Sequence, residues 1–161
     1  MSHILPPQPR STAVKRTFGI VASTYNEIYV NGLLDAVSAE FLSIAPNISQ
    51  VIVRVPGAFE IPIVVSEMTR KMKLDAIIAL GVVIDGETAH GGLISKAVTD
   101  SLLQIALHTG IPVIHEVLFV KSEEQAKIRC LGSEINRGTE AARAALAVTE
   151  SLAQVRAYTK F

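Results

Sequence analysis

The 161-residue chain has a single cysteine, Cys130, so no disulfide framework can form. That composition fits a reducing cytoplasm better than an oxidising compartment. No long hydrophobic run is present. The longest, Ala76–Ile84, falls far short of the ~20 residues a membrane-spanning helix needs, so no membrane partner is expected. Nor is there an excess of charge of either sign. Fifteen basic and fifteen acidic residues cancel, and no global field draws the molecule to nucleic acid. Any anion site must therefore be local. Several motifs are also missing: there is no Gly-x-Ser-x-Gly elbow, no Gly-x-x-x-x-Gly-Lys phosphate loop, and no Gly-x-Gly-x-x-Gly after the first strand. His3, His90, His108 and His115 lack ligand spacing, so no metal site is expected. Residues 1–16 contain Pro6, Pro7 and Pro9 followed by Lys15 and Arg16, without an apolar segment between. They read as an extended arm rather than a signal peptide, ahead of one domain over residues 17–161.

The 49% hydrophobic content is enough for a full core, and 19% charged residues is too few for a disordered chain. Short apolar runs alternate with helix-period segments. Strands are predicted over residues 17–22, 50–55, 76–84 and 112–118. Helices are predicted over 27–43, 61–72, 93–109, about 123–130 and 136–158. Pro62 suits a first helical turn, Gly110 a helix end, and Ser122 with Gln125 a capped helix start. Alternation at this spacing predicts a parallel sheet with right-handed crossovers and helices on both faces, a three-layer α/β/α sandwich.

The stretch Gly81–His90 carries the strongest functional signal. A strand apolar on both faces ends abruptly, Gly86 allows a tight turn, and Glu87-Thr88-Ala89-His90 follows. Ligands of open α/β sheets bind outside the carboxyl ends of the strands. Backbone N–H groups near Gly86 and Thr88 suit an anion, and His90 is placed to move protons. Two other exit loops, at Tyr25-Asn26 and Phe59-Glu60, fall on the same edge. Two aromatic rings, an amide, a carboxylate and a histidine suit a planar heterocycle with an anionic group. Arg129 and Arg137 are the candidate guanidiniums. Each feature alone has a structural explanation; their convergence on one edge points to a site.

The sequence resembles the lumazine synthases from about Phe18 to Leu152. The resemblance is carried by Val55-Pro56-Gly57-Ala58-Phe59-Glu60-Ile61-Pro62, by Gly81-Val82-Val83-Ile84 with Gly86-Glu87-Thr88 and His90, by Gly110–Ile114, by Glu124-Gln125-Ala126 with Arg129, and by Asn136-Arg137-Gly138 with Glu140-Ala141-Ala142. It implies a flavodoxin-like sheet of four parallel strands. The implied activity is condensation of 5-amino-6-(D-ribitylamino)uracil with 3,4-dihydroxy-2-butanone 4-phosphate to 6,7-dimethyl-8-ribityllumazine, with no metal or organic cofactor. By the same resemblance His90 is the catalytic proton carrier. Tyr25, Asn26, Ala58, Phe59, Glu60, Val82, Val83, Ile84 and His115 bind the organic substrates. Gly86, Glu87 and Thr88 bind the phosphate, and Arg129 reaches it from a neighbouring subunit. Family members form homopentamers, and some close into icosahedral shells of sixty chains. The chain departs from the family pattern at Asp85, Gly91-Gly92-Leu93, His115-Glu116 and Ser133. Two alternatives fit the same pocket: a catalytically weak flavin- or lumazine-binding shell protein, and an archaeal-type riboflavin synthase.

Overall fold

The computed structural model describes residues 15–86 and 89–158, together with Leu5, Pro7 and Gln8. Most of the expected N-terminal arm, and both Glu87 and Thr88, lie outside the described residues. The chain runs β1 (Arg16–Ser23), α1 (Glu27–Ile44), β2 (Ile48–Val55), a single 3₁₀ turn (Ala58–Glu60), α2 (Ile61–Lys71), β3 (Ala76–Ile84), α3 (His90–Thr109), β4 (Val113–Val120), α4 (Glu123–Leu131) and α5 (Arg137–Tyr158). The strands form one parallel sheet in the order β2-β1-β3-β4. This is the flavodoxin-like order. The crossovers leave β1 in opposite directions, so a crevice opens beyond the carboxyl ends of β1 and β3.

The two faces of the sheet are covered by different helices. Phe18, Ile20 and Ala22 of β1 and Ile78, Leu80 and Val82 of β3 pack under α1, α4 and α5. Val21, Ile77, Ala79 and Val117 face α2 and α3 through Ile61, Val65, Val98 and Leu102. β3 alternates between these two cores, which is why its sequence reads as an unbroken apolar run. Its first seven residues are buried, and only Val83 and Ile84 emerge.

The boundary that matters most for function is the start of α3. The sequence predicts it at Leu93, because Gly91 and Gly92 are weak helix formers. The helix instead begins at His90. Tertiary packing overrides propensity here: a Cβ on Gly91 would meet the Phe119 ring at 3.2 Å and Val83 at 3.3 Å. The glycine lets α3 lie close against β3 and β4, and the helix carries on through it. His90 therefore sits in the first helical turn rather than in a loop.

α1 and α5 also approach each other closely, and Gly138 lies at their contact. A Cβ there would run into the Leu33 carbonyl of α1. Backbone cannot swing aside as a flexible side chain can. We expect Gly138→Ala to destabilise the fold by roughly 1–3 kcal/mol, read as a lower urea midpoint at unchanged slope. An unchanged midpoint would show that α5 can move away from α1 at no cost.

Candidate active site

Three exit loops build the site. In the loop after β1, Thr24 and Tyr25 bind the loop after β2: the Tyr25 N–H donates to the Pro56 carbonyl at 3.0 Å, and the Thr24 hydroxyl to the same carbonyl at 3.1 Å. Asn26 occupies the left-handed region (φ 56°), which asparagine tolerates better than most residues. From there its side-chain amide donates to the Val82 carbonyl at 2.8 Å, tying the loop to the end of β3. In the loop after β2, Glu60 Oε2 accepts the Gly57 N–H at 2.9 Å, which closes the 3₁₀ turn and fixes Ala58 and Phe59.

These loops surround a cleft of about 920 Å³. It gathers Tyr25, Asn26, Ala58, Phe59, Glu60, Val82, Val83, Ile84, Gly86 and His90, all named from sequence. It also includes residues that the sequence reading passed over: Gly57 in the β2 exit loop, and Gly91, Leu93, Ile94 and Ala97 of α3. The α3 residues were missed because residues 91–92 read as loop and Ile94 read as core. Tyr25 and Phe59 are 73% and 61% exposed, so two aromatic faces stand without packing partners at the rim. His90 is exposed at the amino end of α3, where helix N–H groups favour an anion.

Two expected site residues lie elsewhere. His115 is on β4, and its Nε2 is 2.8 Å from the Thr99 hydroxyl of α3. The Thr99 hydroxyl also lies 2.8 Å from the Ser95 carbonyl, so it links the His115 ring to the backbone of α3. Arg129 is on α4, on the opposite face of the sheet from α3. Among its described lining residues the cleft contains no lysine or arginine.

Arg129 lies instead, partly buried, near a polar cluster at the α4–α5 junction. Asn136 organises the turn: its amide donates to the Cys130 carbonyl at 2.8 Å, and its side-chain oxygen accepts the Gly138 N–H at 2.8 Å. Arg137 pairs with Glu140 and approaches Glu116 Oε2 of β4 at 3.6 Å through Nε. Burial pushes the Glu116 carboxyl up to about 7, against the opposing pull of Arg137 and Arg129 and with a further push from Glu140. Burial also drives the Cys130 thiol up to about 12, so it is no nucleophile at neutral pH. From the sequence Glu116 stood out only as a departure from the family pattern and was given no role, although a lone acid in an apolar strand was the available signal.

An α/β protein with an aromatic-rimmed cleft at the strand ends belongs to the class that binds planar small molecules. The sequence matches the 6,7-dimethyl-8-ribityllumazine synthase family over residues 15–153, and the chain belongs to that family. It is 40% identical over 136 residues to the 6,7-dimethyl-8-ribityllumazine synthase of Azoarcus sp. (strain BH72), a match covering 83% of this chain and 84% of that protein. To the protein of that name from Leifsonia xyli subsp. xyli it is 42% identical over 139 residues, covering 85% and 86%. To that of Thermococcus kodakarensis it is 35% identical over 139 residues, covering 86% and 87%. All three bear the synthase name, which favours neither the riboflavin synthase nor the binding-shell alternative.

The burial of Glu116 makes a stability prediction. Its carboxyl titrates higher in the folded protein than in the unfolded chain. The folded state therefore binds more protons between about pH 4.5 and about pH 7. This contribution is fully present below that window and lost as pH rises through it. Glu116→Gln should remove the loss. The variant's melting temperature, relative to the parent, should rise from pH 5 to pH 8. An offset independent of pH would show that Glu116 is ionised without cost.

Proposed function

We propose that this protein condenses 5-amino-6-(D-ribitylamino)uracil with 3,4-dihydroxy-2-butanone 4-phosphate to give 6,7-dimethyl-8-ribityllumazine. Family membership supports the reading. The observation that carries it to these residues is a single cleft gathering Tyr25, Asn26, the Ala58–Glu60 turn, the Val82–Ile84 strand end and His90. The pyrimidine stacks on the exposed Tyr25 ring, with Phe59 across the rim. The Val82–Ile84 end of β3 lines the heterocycle pocket, and Asn26 and Glu60 orient the uracil and the ribityl chain. Asn26 and Glu60 each spend one polar atom on the scaffold, to Val82 and Gly57, and each retains a second for substrate.

The chemistry needs little machinery. The arylamine attacks the ketone and water leaves, giving an imine. Loss of phosphate and attack of the ribitylamino nitrogen, with loss of a second water, close the ring. Proximity and orientation supply most of the acceleration, and the phosphate serves as a handle. His90 takes up and returns protons at the amine and the leaving oxygens. The phosphate sits beside Gly86 and the start of α3. No organic or metal cofactor takes part.

A phosphate dianion wants a cation, and the described lining offers none. We therefore propose that Arg129 of a neighbouring copy completes the cleft in a homopentamer. Exposed Ile63 of α2 and Leu103 and Leu107 of α3 supply apolar surface for the contact. The α4–α5 connection is short, which leaves the way open to the sixty-chain shell. The solitary buried Cys130 suits a reducing cytoplasm. Among the described residues no helix is long and apolar enough to cross a membrane.

Purified protein and both substrates should form the lumazine faster than the uncatalysed condensation, followed by absorbance and fluorescence. A rate equal to the no-protein control would overturn the assignment. His90→Ala should lower kcat by about 10²-fold or more and still leave a rate above that control, since general acid–base catalysis typically supplies 10²–10⁴-fold. Complete loss in a folded variant would contradict the division of labour. Arg129→Ala should raise KM for the phosphate substrate by roughly tenfold or more, the worth of a charge-assisted hydrogen bond. An unchanged KM would remove Arg129 from the site.

A further inference from the structure

The end of the sheet opposite the cleft carries a second, smaller hollow that the chemistry above does not use. It measures about 250 Å³, and its polar lining is Lys15 and Arg16 at the start of β1, Asp75 just before β3, and Thr149 and Arg156 of α5. The eight residues of β1 separate it from the cleft by roughly 25 Å, at about 3.3 Å per residue.

Three cations and one carboxylate leave this lining with two positive charges in excess, in a chain whose charges otherwise cancel. Arg16 is only partly exposed. Its Nη1 donates to the Leu146 carbonyl at 3.4 Å and to the Thr149 hydroxyl. That hydroxyl donates in turn to the Leu146 carbonyl at 2.8 Å, so its oxygen is oriented to accept. Tying β1 to α5 thus engages Nη1 alone. Among the described residues Arg16 Nε and Nη2 make no bond, and a guanidinium takes a planar or tetrahedral oxyanion side-on through those two nitrogens. Arg156 is anchored too, donating from Nη2 to the Gly110 carbonyl at 3.2 Å. Asp75 is held by the backbone of Thr17, whose N–H donates to its Oδ2 at 2.7 Å. Two guanidiniums are therefore fixed in place by the fold, which lowers the ordering cost of binding an anion between them.

No aromatic ring lines the hollow, and its volume is below the ~300–1,000 Å³ of pockets that hold drug-sized ligands. It suits a compact dianion rather than a planar heterocycle or a nucleotide. We propose that it is a second oxyanion site, distinct from the cleft, which takes inorganic phosphate or the phosphate group of a small phosphomonoester between Arg16, Lys15 and Arg156. A dianion bound there ties the start of β1 to the end of α5. It recognises an arrangement that only the folded chain has, and so it stabilises the fold. The proposal does not depend on where Arg129 acts.

Inorganic phosphate is the probe, titrated calorimetrically into the whole protein at constant ionic strength. Arg129→Ala, which removes the cation proposed for the cleft, isolates this hollow. One phosphate per chain should bind, with a Kd on the order of 1 mM. The melting temperature should rise with phosphate beyond the rise in sodium chloride of equal ionic strength. Lys15→Ala combined with Arg156→Ala should weaken phosphate by roughly tenfold or more, the worth of a charge-assisted hydrogen bond. Both side chains are exposed, so the double variant should fold. Arg16→Lys keeps the charge but loses the fork, and it should weaken phosphate as well. Glycerol 3-phosphate separates the two sources: affinity like that of phosphate marks a site for phosphomonoesters, and rejection marks one for the free ion. Unchanged phosphate affinity in the Lys15→Ala, Arg156→Ala protein would overturn the proposal. So would a melting shift that sodium chloride reproduces. Should Arg16→Lys fail to fold, the double variant decides alone.

Discussion

Burial of β3 on both faces is the constraint from which the other elements take their positions. A strand apolar on both sides requires helices above and below it. With parallel neighbours, those helices must be the crossovers themselves. β1 and β4 flank it, and the crossovers diverge at β1. The carboxyl ends of β1 and β3 are consequently the place where chain cannot cover the sheet. The burial of β3 stops at Val83 and Ile84, where the strand emerges into the cleft. Hydrogen bonds from Asn26 to Val82 and from Tyr25 to Pro56 then lock the neighbouring loops around that gap. The site follows from the topology, and the loop chemistry gives it a shape.

The charge distribution follows a different logic. The cleft has aromatic and apolar walls, one carboxylate and one histidine, whereas the cationic groups lie across the sheet at the α4–α5 junction. On the proposed reading, a single chain carries the two parts of the phosphate site on opposite faces of the sheet. Cyclic association brings unlike faces together, which is the arrangement such a split requires. At that junction two carboxylates, Glu116 and Glu140, pair with Arg137.

Much of this was legible in the sequence. β3 was read with the bounds it has, because a strand buried on both faces leaves an unmistakable apolar run. Ser122 was read as a cap, and its hydroxyl accepts the Gln125 N–H at 3.3 Å. Tyr25, Asn26, Phe59, Glu60 and His90 were named because they occupy strand exits, and the exits of a parallel sheet share an edge; Ala58 and Val82–Ile84 were named by the family resemblance. What was not legible depended on contacts distant in sequence. Gly91 lies in α3 where the helix passes so close to Phe119 and Val83 that a side chain would be crowded, and neither lies within its own turn. The 3₁₀ turn at Ala58–Glu60 arises from one side-chain bond to Gly57. Glu116 stood out only as a departure from the family pattern, and its pairing with Arg137, twenty-one positions further on, shows only in the fold.

The central claim is that the working site is shared between copies, with the cleft from one and Arg129 from the next. The most direct measurement mixes subunits. His90→Ala and Arg129→Ala chains are unfolded together, reassembled at equal ratio, and assayed for lumazine formation. If sites are shared, about a quarter of them recover both native residues, and the mixture exceeds the mean of the two pure variants. If each chain completes its own site, every site keeps one defect. The mixture then equals that mean, and the account is contradicted.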